Sequence, residues 1–440
     1  MLTVIMFVLF FLLIFMNLPV AFALGIAAVI VLLIDSGMAS LALLPSIMYS
    51  SISSFTLLAI PFFVLAGVIM GYSGISSRLI DFAYLAFGHR KNGIVIVTIV
   101  AAFFFSAISG SGPATVAAMG TILIPALVKN GFKANSASAL VASAGSLGII
   151  LPPSIAFIIF GVIASDIISI SIGRLFIAGI IPGVLLAISL LIASMIVNKR
   201  NQKRHLDSGE AAVTIEKAPA IEVMKAFLKA LLGLMIPIII LGGIYSGMFT
   251  PTEAAVVAVF YSLVVGFFFY RELKWKHIPK ILVDASVQSA VIMLIIGVAS
   301  LFSYIITTQR VAATLTISIL EITTNPLLLL LLVAVILLLV GAFIDTISAF
   351  YIFIPLLMPV LLEVGVDPTT IGVMMTVGLA IGLFTPPVGL NLFVASSISG
   401  VSSESIVKGI GPYLVASIIV LVLVMYFPIF SNALPDLLGV

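Results

Sequence analysis

Residues 92–128 read NGIVIVTIVAAFFFSAISGSGPATVAAMGTILIPALV, and the stretch contains no charged residue. As one straight helix it would extend over about 55 Å, because an α-helix rises about 1.5 Å per residue. The hydrocarbon core of a bilayer is only about 30 Å thick. Its centre, from Ser109 to Pro113, combines Gly, Ser and Pro into a strong helix breaker, and basic residues flank both ends. We therefore predict a re-entrant hairpin that enters and leaves the membrane from the cytoplasm.

A second stretch of the same kind runs from Pro326 to Leu362, with Asp345 near its centre as the only charge. Its flanks are acidic, with Glu321 on one side and Glu363 and Asp367 on the other. The second hairpin should therefore open to the periplasm. Opposite sidedness of matching segments predicts an inverted-topology repeat, an architecture of secondary transporters.

The composition excludes a soluble globular protein. Of 440 residues, 63% are hydrophobic and only 8% are charged, whereas charged residues make up about 25% of an ordinary soluble domain. The apolar runs are continuous and do not alternate, which favours helices over a β-barrel. We predict an all-α polytopic membrane protein with two re-entrant hairpins and two broken helices, arranged like an elevator-type ion transporter.

The basic residues give the orientation. By the positive-inside rule the loops that hold them are cytoplasmic, which leaves Arg174 and Arg310 outside and places both termini in the periplasm. The clusters are Arg78, residues 89–91, Lys129 with Lys133, residues 199–229, residues 271–280 and Lys408. They lack interleaved aromatic residues, so no nucleic-acid partner is expected. The apolar N-terminus has no basic region or cleavage site and is interpreted as a retained membrane segment.

The two halves align at an offset of 234 positions. This offset matches Pro125 with Pro359, Gly148 with Gly382, and the pair Pro152-Pro153 with Pro386-Pro387. We predict five regions. They are first-half scaffold helices with an interfacial helix (1–90), the first hairpin, broken helix and following span (91–197), a cytoplasmic linker (198–225), second-half scaffold helices (226–310), and the second hairpin, broken helix and last span (311–440).

Four irregular stretches, residues 106–115, 145–154, 341–349 and 382–391, mark an interior surface, because unwound backbone in lipid is tolerated only inside protein or along a cavity. Broken helices release carbonyl oxygens, and hard cations take oxygen ligands. Each tip with its break predicts one site for a sodium ion. The predicted sodium ligands are Ser106, Ser109, Gly110, Gly145, Gly148 and Pro152 in the first half, and Gly341, Asp345, Thr346, Gly382, Thr385 and Pro386 in the second.

Half-helix N-termini with free N–H groups suit a substrate carboxylate. The predicted substrate contacts are Ser111, Gly112, Pro113, Thr115, Ser154 and Asn391. A competing interpretation is that each proline pair only kinks a helix and that Ser and Gly only pack helices together. Asp345 points to function, since an ionisable group at membrane depth costs about 2.5 kcal/mol or more.

Other polar residues have simpler interpretations. Glu253 follows Thr250-Pro251 and should be a helix N-terminal acid. Asp284 and Gln288 are either a snorkelling pair or a helix contact. Residues 74–87 form a predicted interfacial amphipathic helix, and Trp275 is a predicted interface anchor.

Three motifs resemble the large membrane subunit of TRAP transporters, the tripartite ATP-independent periplasmic carriers. They are LLAIPFFVLAG (residues 57–67), YSGMFTPTEAA (residues 245–255) and LFTPPVGLN (residues 383–391). The resemblance covers nearly the whole chain. It places the hairpin tips at residues 109–115 and 345–349 and the helix breaks at residues 148–154 and 385–391.

The resemblance implies a sodium-coupled, elevator-type carrier in the bacterial inner membrane, with two or more sodium ions. It also implies a periplasmic substrate-binding protein and a small four-helix membrane subunit as partners. Since the chain starts directly at the large subunit, the small one is expected as a separate polypeptide. The chain looks nearest to the branch that carries sialic acid, and C4-dicarboxylates or other carboxylates are the alternative.

Two other classes compete with a carrier. An intramembrane enzyme would need a His, a metal cluster or paired carboxylates at membrane depth, but His89, His205 and His277 all lie in polar stretches and there is no HExxH motif. A channel would share the polar interior, so it stays open as an alternative. Paired broken helices of opposite sidedness favour alternating access.

Overall fold

The computed structural model describes residues 2–90, 92–207 and 217–440, with side chains for all of these except residues 200–207 and Ile322. The first half contains α1 (Leu2–Phe15), α2 (Val20–Ser36), α3 (Leu44–Ile52), α4 (Ala59–Tyr72), α5 (Ile75–Phe87), α6 (Gly93–Ser109), α7 (Gly112–Lys129), α8 (Ala134–Gly145), α9 (Leu147–Ile150), α10 (Ile155–Ala164) and α11 (Ile172–Asp207). The second contains α12 (Ala220–Tyr245), α13 (Pro251–Val264), α14 (Ile278–Thr308), α15 (Val311–Ile322), α16 (Pro326–Gly341), α17 (Thr346–Glu363), α18 (Pro368–Gly382), α19 (Leu390–Ser399), α20 (Ser403–Tyr426) and α21 (Ile429–Leu437).

The regular structure of the described residues is helical, as predicted. Within these ranges, nine helices are long and apolar enough to cross a membrane. A tenth candidate is the pair of segments Ala134–Ile150 and Ile155–Ala164, which meet at an angle of 44°. The chain is therefore an all-α polytopic membrane protein, and one predicted broken helix is this bent pair.

Both predicted hairpin turns lie where the sequence breaks. Helix α6 ends at Ser109 and α7 begins at Gly112, and Gly110 between them adopts a left-handed conformation with φ of 61°. That conformation is costly for residues with a Cβ, so glycine suits the turn. In the second half, α16 ends at Gly341 and α17 begins at Thr346. In each hairpin the two helices pack against each other.

The two halves pack as a reciprocal pair. Helices α7 and α17 begin 234 positions apart, and so do α8 and α18. Several contacts between the halves have a counterpart made by the matching helices. Helix α10 packs against α17, and α19 packs against α7. In the same way α11 packs against α18 and α20 against α8, while α2 packs against α14 and α13 against α4. Reciprocal contacts of this kind are what a two-fold relationship produces. The repeat predicted from sparse identities is therefore present in the packing.

The helices form two groups. Helices α1–α4 and α12–α14 pack mainly on one another and are called the scaffold group here, and α6–α11 with α16–α21 form the hairpin group. Helix α14 packs against α17 where the groups meet. Helix α5 links α4 to α6 and buries one apolar face, formed by Ile75, Leu79, Ile80 and Ala83. This confirms an amphipathic helix within residues 74–87.

Helix α5 is held at its polar side by Arg78. Its guanidinium forms a 2.7 Å ion pair with Glu272 and lies 3.9 Å from the centre of the Tyr270 ring.

The predicted linker differs from a simple loop, because α11 continues to Asp207 through Lys, Arg and Gln, which are good helix formers. Residues 208–216 of the linker lie outside the described residues.

Two minor predictions have clear structural outcomes. Glu253 forms a capping box with Thr250, whose N–H donates to Glu253 Oε2 at 2.8 Å, so its role as a helix N-terminal acid is confirmed. Asp284 is a helix contact, because the Tyr72 hydroxyl on α4 donates to its Oδ2 at 3.2 Å. Trp275 is 80% exposed, and its role as an interface anchor stays a prediction.

Candidate functional site

In the first half, the hairpin tip rests directly on the helix break. The Ile155 N–H, at the start of α10, donates to the Gly110 carbonyl at 3.3 Å. The break itself is bridged by Ser154, whose hydroxyl donates to the Ile149 carbonyl at 2.6 Å and accepts from the Phe157 N–H at 3.4 Å. Tip and break are thus hydrogen-bonded to each other, and the Ser154 hydroxyl connects the backbone on the two sides of the break.

Hydroxyl groups organise the first tip. The oxygens of Ser109 and Thr115 are 2.6 Å apart, and each hydroxyl also reaches the Ser111 carbonyl, at 3.1 Å and 2.9 Å respectively. Gly148 of the break lies against this network, since a Cβ there would be 2.5 Å from the Ser111 oxygen. The oxygens of Ser109, Ser111 and Thr115 at the tip therefore cluster against the Gly148 backbone of the break.

The second half repeats the arrangement. The N–H groups of Val388 and Gly389 donate to the Ala342 carbonyl at 3.2 Å and 3.0 Å. Gly389 lies 234 positions after Ile155, so the bond from break to tip comes from the matching residue in each half. Gly341 and Gly382 bring the tip helix against the broken helix. Sequence alone predicted both breaks but not this bond.

Asp345 is the N-cap of α17. Its Oδ1 accepts from the Ile347 and Ser348 N–H groups, both at 3.0 Å, and its Oδ2 accepts from the Ser348 hydroxyl at 2.7 Å. The side chain is half-buried. Capping explains the position of the carboxylate, and its remaining lone pairs leave it able to bind a cation. Nearby, the Thr385 hydroxyl donates to the Ile381 carbonyl at 2.7 Å.

Two buried hydroxyls at the tips have no hydrogen-bond partner in the structure. They belong to Ser106 on α6, which is 0% exposed, and to Thr346 at the start of α17, which is 6% exposed. A buried hydroxyl without a partner is costly. Each hairpin therefore has one buried hydroxyl oxygen that is available as a ligand for a hard cation.

The halves meet at Asn391 and the start of α7. The Asn391 side chain is fully buried, and its Nδ2 donates to the Ala142 carbonyl of α8 at 3.0 Å. Its Oδ1 lies near Gly112, since a Cβ built on Gly112 would be 3.2 Å from that oxygen. Gly145 also lies close to Gly112, since a Cβ built on Gly145 would be 3.2 Å from the Gly112 carbonyl oxygen. Gly112, Gly145 and Asn391 are thus brought together from three elements.

The three prolines among the predicted residues offer only their carbonyl oxygens as polar atoms. Pro113 occupies the first turn of α7, and Pro152 and Pro386 each begin a cis prolyl pair within a break. They shape the chain and present no N–H group. The carbonyls of Ala142 and Ala342 were missed, because a backbone oxygen leaves no mark on the sequence. Ser348 was missed as well, although its place three residues after Asp345 is a recognisable capping pattern.

Any cation here would be held by neutral oxygens and at most one carboxylate. Within the part of the chain that the structure describes, no three His, Cys, Asp or Glu side chains lie together as a metal cluster. The oxygens available at the tips are the Asp345 carboxylate, the Ser111 carbonyl and the hydroxyls of Ser106, Ser109, Thr115 and Thr346. Oxygen ligands of this kind suit hard cations.

Paired hairpins and paired broken helices, related by a two-fold repeat in an all-helical membrane bundle, define a secondary transporter of the inverted-repeat class. The profile of one family, described as the tripartite ATP-independent periplasmic transporter, DctM component, matches residues 7–430. The chain belongs to this family. It is therefore the large permease component of a transporter and not an enzyme.

Relatives support this membership over nearly the whole chain. The isethionate TRAP transporter permease protein DctMQ of Oleidesulfovibrio alaskensis is 39% identical over 93% of this chain, which spans 62% of that protein's length. The C4-dicarboxylate TRAP transporter large permease protein DctM of Pseudomonas aeruginosa is 38% identical over 89% of both chains. The sialic acid TRAP transporter large permease protein SiaM of Vibrio cholerae is 36% identical over 97% of this chain and 96% of its own.

A solved structure supports the fold. The YdaH transporter of Alcanivorax borkumensis superimposes with a TM-score of 0.62 and covers 88% of each chain, at 15% sequence identity. At this identity the likeness concerns the fold alone. The overall fold is thus shared with a transporter of very different sequence.

Proposed function

We propose that this chain carries out sodium-coupled import of a small organic acid across the bacterial inner membrane, receiving its substrate from a periplasmic binding protein. The hairpin group would move against the scaffold group as an elevator. The observation that carries this proposal is the matched bond from break to tip, Ile155 to Gly110 and Gly389 to Ala342. In each half this bond holds the tip, with its hydroxyl and carbonyl oxygens, against the break, and the second half adds the Asp345 carboxylate.

Sodium is supported by the chemistry of these sites. The unpartnered hydroxyls of Ser106 and Thr346 provide one free oxygen per tip. Asp345 adds the one carboxylate within the second hairpin. Two or more sodium ions would bind at the tips, order them, and prepare the substrate site between them. Each ion would travel as cargo with the substrate.

Substrate recognition would rely on neutral donors. Neither hairpin and neither break contains an Arg, so a carboxylate would meet N–H groups at the start of α7 and the hydroxyls and amide of Ser111, Thr115 and Asn391. The relatives carry isethionate, C4-dicarboxylates and sialic acid by name. Sialic acid is the substrate to test first, with C4-dicarboxylates as the alternative.

Two protein partners follow from the family. Members work with a periplasmic binding protein and a small membrane subunit, and the relative named DctMQ extends well beyond the length matched by this chain. A separate small four-helix subunit is proposed for this protein. A channel remains the second candidate function, favoured only by the polar interior that both classes share.

The test is uptake into proteoliposomes that contain this chain and its small membrane partner. Labelled sialic acid is supplied with its binding protein, either under an inward sodium gradient or under a potassium gradient of equal size. Uptake that requires both sodium and the binding protein supports the whole proposal. Sodium-driven uptake of a C4-dicarboxylate instead keeps the mechanism and rejects sialic acid. Flux without a gradient or binding protein would identify a channel.

A further inference from the structure

The amide of Asn391 joins the two halves of the repeat. Asn391 belongs to α19 in the second half, and its Nδ2 donates at 3.0 Å to the carbonyl of Ala142, 249 residues earlier in the first half. The side chain is 0% exposed. A buried amide in lipid-embedded protein is retained when its polar atoms have partners. This one uses its donor on the other half of the molecule.

The Ala142 carbonyl needs such a donor because of the first helix break. In a continuous helix it would accept from the Ser146 N–H, four residues later. Helix α8 ends at Gly145, and the Ser146 N–H turns instead to the Ser143 carbonyl at 3.1 Å. The break therefore releases the Ala142 carbonyl, and Asn391 binds it.

The backbone of Asn391 closes the second break. Its N–H donates to the Leu383 carbonyl at 2.9 Å, across the segment that separates α18 from α19. One residue thus contacts both breaks, the second through its main chain and the first through Nδ2. The two breaks are therefore connected through this one residue.

The remaining atom, Oδ1, is buried and has no partner in the structure. It lies beside the start of α7, where a Cβ on Gly112 would be 3.2 Å away. The matching residue in the first half, 234 positions earlier, is Phe157, which has no polar side-chain atom. The link between the halves is therefore asymmetric. The second half directs an amide oxygen towards the first tip, whereas the first half has no polar side chain at the matching position.

We propose that Asn391 is a positioning residue that couples ligand binding in the two halves. The inference rests on the proposed sodium-coupled function and deepens it. An ion or substrate donor bound at the first tip supplies the partner that Oδ1 lacks, which orients the amide and strengthens its bond to Ala142. Since the same residue closes the second break, occupancy of one half raises the affinity of the other, and the effect is reciprocal.

The experiment measures sodium activation of uptake in proteoliposomes with the small subunit and binding protein present. Asn391→Leu removes both polar atoms, whereas Asn391→Asp keeps the shape and the oxygen but loses the donor. Ser143→Ala is the matched control, because its buried hydroxyl in α8 bonds only within its own helix, to Ala139 at 2.8 Å. Sodium-dependent thermal stabilisation of each purified variant gives a second readout that does not need transport.

The wild-type protein should respond to sodium with a Hill coefficient above one. Both Asn391 variants should lose this cooperativity, and Asn391→Leu should raise the half-activating sodium concentration about fivefold or more, the lower end of ordinary coupling. Ser143→Ala should match the wild type. The half-activating sodium concentration should rise less in Asn391→Asp than in Asn391→Leu, because the Asp variant loses only the donor to Ala142 and keeps an oxygen at the first tip. The difference between the two variants therefore measures the contribution of that oxygen.

A sodium-dependent wild type without cooperativity, or Asn391 variants that keep it, would overturn the coupling role and leave the proposed function intact. A wild type that transports without sodium would reject both. If neither variant folds, Asn391 is a structural residue and the inference is wrong. Asn391→Asp is included because its volume is unchanged, so a folding failure there would reflect the lost donor to Ala142 together with the cost of a buried carboxyl group, and not a change of shape.

Discussion

Gly341 and Gly382 meet without any side chain between them. A Cβ on Gly382 would lie 2.5 Å from the Cα of Gly341, which is closer than a Cβ approaches a non-bonded atom in proteins. This contact holds the end of α16 against the end of α18, and so presses the second tip onto the second break. The corresponding contact in the first half is made by Gly148 against the Ser111 carbonyl.

Gly382→Ala should therefore destabilise the hairpin group. The new methyl group meets backbone and cannot be relieved by rotation of a side chain, and overpacking of this kind costs about 1–3 kcal/mol. Thermal unfolding of the purified protein in detergent should show a lower midpoint. Gly411→Ala on α20 is the control, since a Cβ there meets nothing within 4 Å. Equal midpoints for both variants would mean that α16 and α18 are less closely packed.

Asp345→Asn should separate capping from ion binding. Asparagine caps helices about as well as aspartate, whereas alanine costs about 1 kcal/mol. The Asn variant should fold in normal yield but need more sodium for half-maximal uptake, because the negative charge is lost. Asp345→Ala should show both defects. If Asp345→Asn keeps the wild-type sodium response, the carboxylate is a cap only and the second ion site lies elsewhere.

Ser106→Ala and Thr346→Val should weaken sodium activation without destabilising the sodium-free protein. Each change removes a buried hydroxyl that has no partner, so no hydrogen bond is lost when sodium is absent. The measurement is the unfolding midpoint with and without sodium, and the expected result is a smaller sodium-induced rise.

The matched control for these two variants is Thr376→Val. Its buried hydroxyl donates to the Gly372 carbonyl at 2.7 Å within α18, so the change should lower the midpoint equally with and without sodium. An unchanged sodium-induced rise in Ser106→Ala and Thr346→Val would show that these hydroxyls are not ligands.

Arg174 of α11 links the C-terminal helix α21 to α11 and α18 within the hairpin group. Its Nε donates to the Thr369 hydroxyl at 2.9 Å, its Nη2 forms a 2.7 Å ion pair with Asp436, and its Nη1 donates to the Val440 main-chain oxygen. Arg174→Ala should lower stability by about 1 kcal/mol or less, because exposed ion pairs contribute little. A higher salt concentration should reduce the difference between the thermal unfolding midpoints of Arg174→Ala and the wild type, because salt screens the ion pair. A loss of uptake at unchanged stability would contradict a purely structural role.

Much of the fold was predictable because it depends on local properties. The uncharged stretch around Ser109 to Pro113 is too long for one crossing and too rich in breakers for one helix, and α6 and α7 indeed separate there. The charges that flank each hairpin predict its sidedness by the positive-inside rule, and that sidedness stays a prediction. The capping box at Thr250 and Glu253 and the amphipathic helix α5 follow from spacing within a few residues.

The candidate site was predictable in its members and not in its pairings. Ser106, Asp345 and Asn391 stood out as polar residues at membrane depth. That Asp345 caps α17, that the Ser154 hydroxyl bridges its own break, and that Ser106 and Thr346 lack partners emerged only from coordinates. A side chain's partners depend on backbone positions that residue type does not encode.

By itself, then, the sequence determined a helical membrane protein with two repeats, each with a hairpin and a break, because hydrophobicity, charge and helix breaking act over short distances along the chain. Only the tertiary structure decided which carbonyl meets which donor, as in the bonds from Asn391 to Ala142 and from Gly389 to Ala342. Backbone oxygens are identical at every residue, so their choice of partner is fixed by how distant helices pack.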